Sequence, residues 1–227
     1  MSSKKPETKD ERIDVYLLPT DDVEFDAAYK ILCNPKIEDL GKHEGQLCFG
    51  EIGRNKVALL KWLVTVTDGS RAYALCAETI NKLKPKAIVA LGVCSGMKEE
   101  LHHLGDVLVS SQVGFYEPSV NSDGSTNSFG STFDCNLELT QLFAHGNFGW
   151  CGPFQEVLVP EVHVGQVISS TAQAINNTTY KDELKKLYSE AIGVKMQGEG
   201  MLQNYNSTIL LDLDCHSSFR NRSNIKQ

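Results

Sequence analysis

Apolar positions along this chain come in short runs and in helical stripes. Ile13 to Leu18 is a short apolar run with strand character. Pro19-Thr20-Asp21-Asp22 then reads as a turn and a helix N-cap. Val23, Ala27, Ala28, Ile31 and Leu32 recur at helical spacing as far as Cys33. Gln46 to Ile52 and Lys56 to Val66 predict two strands joined by the turn Gly53-Arg54-Asn55. Ser70 to Leu83 is an amphipathic helix with Ala72, Leu75, Cys76, Thr79, Ile80 and Leu83 on one face, punctuated by Pro85. Ala87 to Leu91 is a buried strand that runs into a small-residue loop, Gly92-Val93-Cys94-Ser95-Gly96, and Asp106 to Ser110 is a further strand.

The second half is more polar. Pro118 to Thr132, rich in Ser, Asn and Gly, predicts a long surface loop. Leu137 to Ala144 reads as a helix, Val162 to Ile168 as a strand, and Tyr180 to Glu190 as a helix whose Lys and Glu residues are solvated. Ala191 to Val194 is short and apolar, Gly198 to Asn204 is a candidate helix, and Ser207 to Leu213 is an apolar strand. No internal repeat is present. Strands alternating with helices after an early hairpin predict an α/β domain with a mixed but largely parallel sheet covered on both faces.

Bulk properties narrow this picture. The 227 residues suit one domain, over 13–227, preceded by a charged and disordered lead at 1–12. A net charge of −7 argues against nonspecific nucleic-acid binding. No apolar run approaches the roughly 20 residues that span a bilayer, and the first residues lack the apolar core of a secretory signal. The cysteines at 33, 48, 76, 94, 135, 151 and 215 form no Cys-x-x-Cys pair, so a reducing, cytoplasmic setting is expected. The triplets at Asn176, Asn206 and Asn221 carry no weight without secretion, and His102-His103 lacks metal-ligand partners at useful spacing.

The stretch from Gly92 to Gly96 invites a functional reading. Small residues at the carboxyl end of a strand let backbone N–H groups approach a ligand, and ligands bind at that edge of open α/β sheets. Taken alone, glycines after a strand more often simply make a turn.

Four segments, in order, resemble the purine and uridine phosphorylase superfamily, most closely its methylthioadenosine/S-adenosylhomocysteine nucleosidase-like branch. They are Thr20 to Ala27; Leu91 to Gly96 followed by Leu104-Gly105-Asp106-Val107-Leu108-Val109; His163 to Ser170, running to Gln173 and Ile175; and Gly193 to Gly200, leading to Leu213-Asp214. The resemblance implies an αβα sandwich around a distorted central sheet, and a site that cleaves the bond between ribose and a base. It also implies a homo-oligomer.

Such cleavage passes through an oxocarbenium-like sugar and sets three tasks. A proton donor for the leaving purine falls to Asp214, at the carboxyl end of a strand, where the family carries its catalytic aspartate. Asp212 is a rival on the same strand face, and a strand-end carboxylate can equally cap the next turn. The resemblance assigns the attacking water to Glu24, which its position alone would make a first-turn carboxylate favoured by the helix dipole. The sugar is where the chain departs. The family's Glu-Met-Glu is here Lys195-Met196-Gln197. Met196 can pack beneath the sugar and Gln197 can hydrogen-bond its hydroxyls. Gln197 brings no negative charge, a lack that costs on the order of 10²–10³ in rate. Glu199, two residues on, is the candidate to supply it, although its position alone reads more simply as a solvent-facing helical glutamate. Gly92, Val93 and Ser95 of the loop and Gln173 beside the base complete the implied site; Val93 stands where a small hydroxyl residue is usual, and Ser95 offers a hydroxyl instead.

Phosphorolysis needs arginines that fork onto phosphate. The phosphorylase branch carries one where this chain has Ala90, and its Pro-Gly-Asp-Pro-x-Arg turn is replaced by Leu18-Pro19-Thr20-Asp21. Arg54 and Arg71 are the nearest other cations, each simplest as a surface charge. Hydrolysis is therefore favoured, with a small purine nucleoside or nucleotide as partner and no cofactor; phosphate enters only as co-substrate of a phosphorolytic reaction. After Asp214 the chain only faintly resembles the family, and the expectation is either a truncated C-terminus or a replacement for the family's final helix. These departures also support an alternative, a catalytically weak or inactive nucleoside-binding sensor or interaction domain.

Overall fold

The computed structural model describes residues 12–40, 45–62, 69–98, 103, 105–120, 126–129, 131–145, 160–170, 178–196 and 208–214. Their elements are β1 (Val15–Pro19), α1 (Asp22–Ile31), β2 (Cys33–Asp39), β3 (Gly45–Ile52), β4 (Asn55–Trp62), α2 (Gly69–Leu83), β5 (Ala87–Gly96), β6 (Val107–Val120), β7 (Thr126–Phe129), β8 (Thr132–Asp134), α3 (Leu137–His145), β9 (Val162–Ser170), α4 (Thr178–Leu187), β10 (Gly193–Met196) and β11 (Thr208–Asp214).

The strands form one mixed sheet in the order β10-β9-β6-β11-β5-β1-β4-β3-β2, with β7 and β8 attached to β6. Parallel ladders β4-β1-β5-β11 make its centre. Because β10 also pairs with β5, the strands β5, β11, β6, β9 and β10 close into a ring. That closure is the distortion implied by the resemblance, and it carries β9 and β10 round to the carboxyl end of β5.

Alternation along the central strands splits the core into two faces. Tyr16 and Leu18 of β1, with Ala58, Leu60, Ile88 and Ala90, pack on Leu75, Cys76 and Ile80 of α2. Leu17, Val57, Leu59, Val89 and Val109 pack on Phe25, Ala28 and Leu32 from α1 and its C-cap, and on Leu139 and Phe143 of α3. Each such Leu or Ile contributes about 1.5–3 kcal/mol by leaving water. The result is the three-layer αβα arrangement.

Several elements differ from the sequence expectation. Helix α1 buries Glu24, Phe25 and Ala28, whereas Val23 (72% exposed) and Ile31 (61%) face solvent. The apolar spacing through Val23, Ala27 and Ile31 therefore marks the outer face. Strand β2 has no counterpart in the sequence reading: every residue is exposed, and it is an edge strand with Pro35 at a register shift and Asn34 at φ 51°. The predicted loop 92–96 is strand, because ladders to β11 and β10 claim it. The predicted loop 118–132 is largely strand as well. There β6 runs on to Val120 and pairs with β7 (Glu117↔Phe129), while β8 pairs with β6 farther back (Gly114↔Thr132). The β3–β4 hairpin turns at Gly53-Arg54 with Gly53 at φ 62°. The candidate helix 198–204, residues 1–11 and everything after Asp214 lie outside the described residues.

Asp106 ties the starts of β6 and β9 together. Its buried carboxylate accepts from the backbone N–H of His103 (2.8 Å) and Glu161 (2.9 Å), and His163 Nε2 lies 2.9 Å from Oδ2. Burial alone would raise its pKa. The hydrogen bonds from Glu161, His103 and His163 outweigh that and hold it below the ordinary 3.8. Among the described residues, no helix is long and apolar enough to cross a membrane, and no group of His, Cys, Asp and Glu is placed to hold a metal ion.

Candidate active site

Three ladders meet at the carboxyl end of β5. Pro19 is the last residue of β1 and lies opposite Leu91. Asp212, Leu213 and Asp214 of β11 lie opposite Gly92, Val93 and Cys94. Val194 and Gly193 of β10 lie opposite Ser95 and Gly96. Gly92 and Val93 thus sit between the point where β1 leaves β5 and the point where β10 joins it. Gly92 and Cys94 are buried, and Val93 is turned outward at 39% exposure. Small residues are needed where β10 closes the ring: a Cβ on Gly193 would meet Leu108 Cδ1 at 2.6 Å.

Glu24 enters this edge from α1. Asp21 is the N-cap, and its carboxylate accepts from the N–H groups of Val23 (2.8 Å) and Glu24 (3.0 Å). Glu24 closes the capping box by accepting from Asp21 N–H (3.2 Å). Its Oε2 also accepts from the backbone N–H and the hydroxyl of Thr20, the latter at 2.8 Å, whereas Oε1 accepts only from that hydroxyl, at 3.0 Å, among the described residues. The first-turn role expected of its position is therefore present. What that position does not account for is the burial of Glu24, which is only 9% exposed. Burial raises its pKa above 4.5. The hydrogen bonds from Thr20 oppose the rise, Asp21 adds to it, and the charge of Lys195 opposes it.

Lys195 is 2% exposed, on β10 opposite Ser169 of β9. The Ser169 hydroxyl is buried with no hydrogen-bond partner among the described residues, while Ser170 donates to the Tyr116 carbonyl at 3.0 Å. In the sequence Lys195 registers only as a departure from a pattern. The signal that could have marked it is a lysine inside the short apolar strand Gly-Val-Lys-Met, since a buried lysine is almost always paired.

The remaining candidates divide by position. Met196 ends β10, and Asp212 and Asp214 end β11, so the backbone brings them to the edge that holds Glu24 and Gly92. Ser95 is half-buried on β5. Gln173, Gln197 and Glu199 lie outside the described residues. Ala90, at the position of the expected arginine, is a core residue, and Arg54 is exposed at a hairpin turn.

Residues 17–194 match the family model described as the phosphorylase superfamily. Among curated proteins, a death domain-containing ATP nucleosidase of Amphimedon queenslandica is 27% identical over 180 residues, covering 70% of this chain. That stretch is 33% of the sponge protein, so the chain spans about a third of the length of the curated relative it matches. Among solved structures, the S-adenosylhomocysteine nucleosidase of Streptococcus pyogenes in complex with 5-methylthiotubericidin superposes with a TM-score of 0.65 at 14% identity, over 88% of this chain and 82% of that one. The 5'-methylthioadenosine/S-adenosylhomocysteine nucleosidase of Neisseria meningitidis in complex with methylthio-immucillin-A gives 0.62 at 14% identity, over 87% and 83%. At such identities these likenesses establish a shared fold.

Proposed function

The chain belongs to the phosphorylase superfamily, and from that premise we propose that it hydrolyses the N-glycosidic bond of a purine nucleoside or nucleotide. The observation that supports the proposal is a buried carboxylate, Glu24, on the helix that follows β1, whose last residue lies opposite Leu91 of β5, one residue before the register where Asp212 of β11 lies opposite Gly92. Asp214 gives its proton to the leaving base as the bond to the sugar breaks and its electron pair departs with the base. Water attacks the anomeric carbon, and Glu24 orients it and accepts its proton. Met196 packs on the sugar, Gln197 and Glu199 serve its hydroxyls, Gln173 lies on the base side, and Gly92, Val93 and Ser95 form the wall. Asp212 is held in reserve as the donor.

Water is preferred over phosphate because Ala90 is packed in the core where an arginine would be needed. No cofactor is required. The curated relative is named an ATP nucleosidase, which adds ATP to the substrates to try. Free thiols at the buried Cys48 and Cys76 suit a reducing compartment, the cytoplasm, and the resemblance supports a homo-oligomer.

The test is incubation of the purified chain with adenosine, inosine, methylthioadenosine and ATP, with and without phosphate, while free base is followed by chromatography. Base release without phosphate is expected. Strict dependence on phosphate overturns hydrolysis. The Lys195-Met196-Gln197 triplet favours a second reading, a nucleoside-binding domain without turnover; ligand-induced thermal stabilisation with no base release would establish it.

A further inference from the structure

Strand β2 ends the sheet on one side. It pairs with β3 and has no second strand partner among the described residues, and all 7 of its residues are exposed. A bare edge of this kind offers backbone N–H and C=O groups to any extended chain, and charged residues usually blunt it. Here the charges include Lys36 and Glu38, two apart and so on one face of the strand. Ile37 stands between them on the other face, 56% exposed, opposite Cys48 of β3. Neither Lys36 nor Glu38 is in an ion pair among the described residues.

We propose that β2 is a contact between two copies of this chain, joined edge to edge and antiparallel about a two-fold axis at Ile37. The occupant follows from register and charge. In an antiparallel ladder the residues that turn N–H and C=O toward the partner alternate along each strand and face one another. Two copies of one edge turn out the same residues, so only registers centred on a single residue close on themselves. Centring on Lys36, Glu38 or Asp39 sets like charges face to face at the axis, which is destabilising. Centring on Pro35 carries the ladder across the register shift between Cys33 and Lys36. Centring on Ile37 sets Lys36 opposite the partner's Glu38, Glu38 opposite the partner's Lys36, and the two Ile37 residues opposite each other. The edge therefore complements itself at one register and repels itself at the neighbouring ones. That shift, with Asn34 at φ 51° beside it, stops the ladder at one end, so the interface is small and the dimer is weak and concentration-dependent. Strands β3, β4 and β1 separate this edge from β5. The contact stands whether or not base is released, and it gives a place to the homo-oligomer proposed above.

Sedimentation velocity of the full chain over a concentration series tests the contact, with circular dichroism to check folding. The weight-average mass of the wild type is expected to rise with concentration. Lys36→Glu is expected to weaken self-association about tenfold, because two-fold symmetry makes each substitution alter two pairs. The exchange Lys36→Glu/Glu38→Lys is expected to restore it. A monomeric mass at every concentration overturns the proposal. So does an assembly that Lys36→Glu leaves unchanged, which would place the homo-oligomer on another surface, and so does an exchange that restores nothing. Cross-linking reads the register directly, in a Cys33→Ser background that removes the exposed native thiol of β2. Ile37→Cys is expected to give a covalent dimer on mild oxidation, since directly opposed residues lie about 4.5–5.5 Å apart at Cα, within disulfide reach. Lys36→Cys, offset from its own copy by two further residues along the strands, is expected to give none. Equal cross-linking at the two positions, or none at Ile37→Cys, overturns the axis at Ile37.

Discussion

Asp214 stands opposite Cys94 in the parallel ladder between β11 and β5, two residues beyond the pairing of Asp212 with Gly92. Residues two apart in a strand lie about 7 Å apart along its backbone. Only one of them can reach a given atom of a bound base, because proton transfer requires about 2.6–3.2 Å between heavy atoms. Asp214→Asn is expected to slow base release by about 10²–10⁴-fold, the usual contribution of a positioned acid. Asp212→Asn is expected to stay within several-fold of wild type. Single-turnover base release, with circular dichroism to check folding, measures both; the reverse ranking moves the acid to Asp212.

The titration of Glu24 has a consequence for stability. Its pKa in the folded chain lies above the 4.5 of the free group. Between the two values the native state binds more protons than the unfolded chain, so stability falls as pH rises through that window and stays lower above it. Glu24→Gln keeps a capping-box side chain and removes the titration. Thermal unfolding of the two proteins from pH 4 upward should show their Tm difference moving in favour of Glu24→Gln above about pH 4.5, then levelling off. A pH-independent difference would contradict the raised pKa.

Asp106 obeys the opposite sign. Its pKa is lowered, so its contribution is fully present above 3.8 and is lost as pH falls through the lower folded value. Asp106→Asn keeps the shape but turns one acceptor into a donor, facing backbone N–H groups from His103 or Glu161. Leaving a buried donor unsatisfied in this way should cost about 2 kcal/mol in denaturant unfolding. The difference from wild type should shrink in acid. A loss below ~0.5 kcal/mol would show that Asp106 is not what joins the starts of β6 and β9.

Much of the site-bearing frame is legible in the sequence because its signals are local. Asp21 and Glu24 form a capping box at the predicted N-cap, Gly53 makes a predicted turn, and Leu75, Cys76 and Ile80 lie on the predicted inner face of α2. The elements that escape notice are set by long-range pairing. Strand β2 is exposed at every residue, so it has no alternation to read. Ser, Asn and Pro residues of β6 and β7 suggest a loop, yet cross-strand pairing makes them a hairpin. Glycines and small residues from Gly92 to Gly96 suggest a turn until two other strands claim their backbone. Which side of α1 faces inward is settled by Glu24 and Phe25, against the apolar count of Val23, Ala27 and Ile31. The burial of Lys195 on β10 depends on the closure of the β-ring, which no local pattern encodes.

That closure is itself testable at Gly193. This residue pairs with Gly96 on one side and Val167 on the other, and an added methyl would press on the fully buried Leu108. Leu108 has no solvent to yield into, so β10 must move away from β5 or the core must shift. Overpacking of this kind costs about 1–3 kcal/mol, and Gly193→Ala should lose that much in urea unfolding. Gly114→Ala makes the comparison at another strand pair, since its methyl would meet Ile168 Cδ1 at 2.8 Å between β6 and β9. A Gly193→Ala protein within ~0.5 kcal/mol of wild type would show that the β10–β5 closure has room for a side chain at that position.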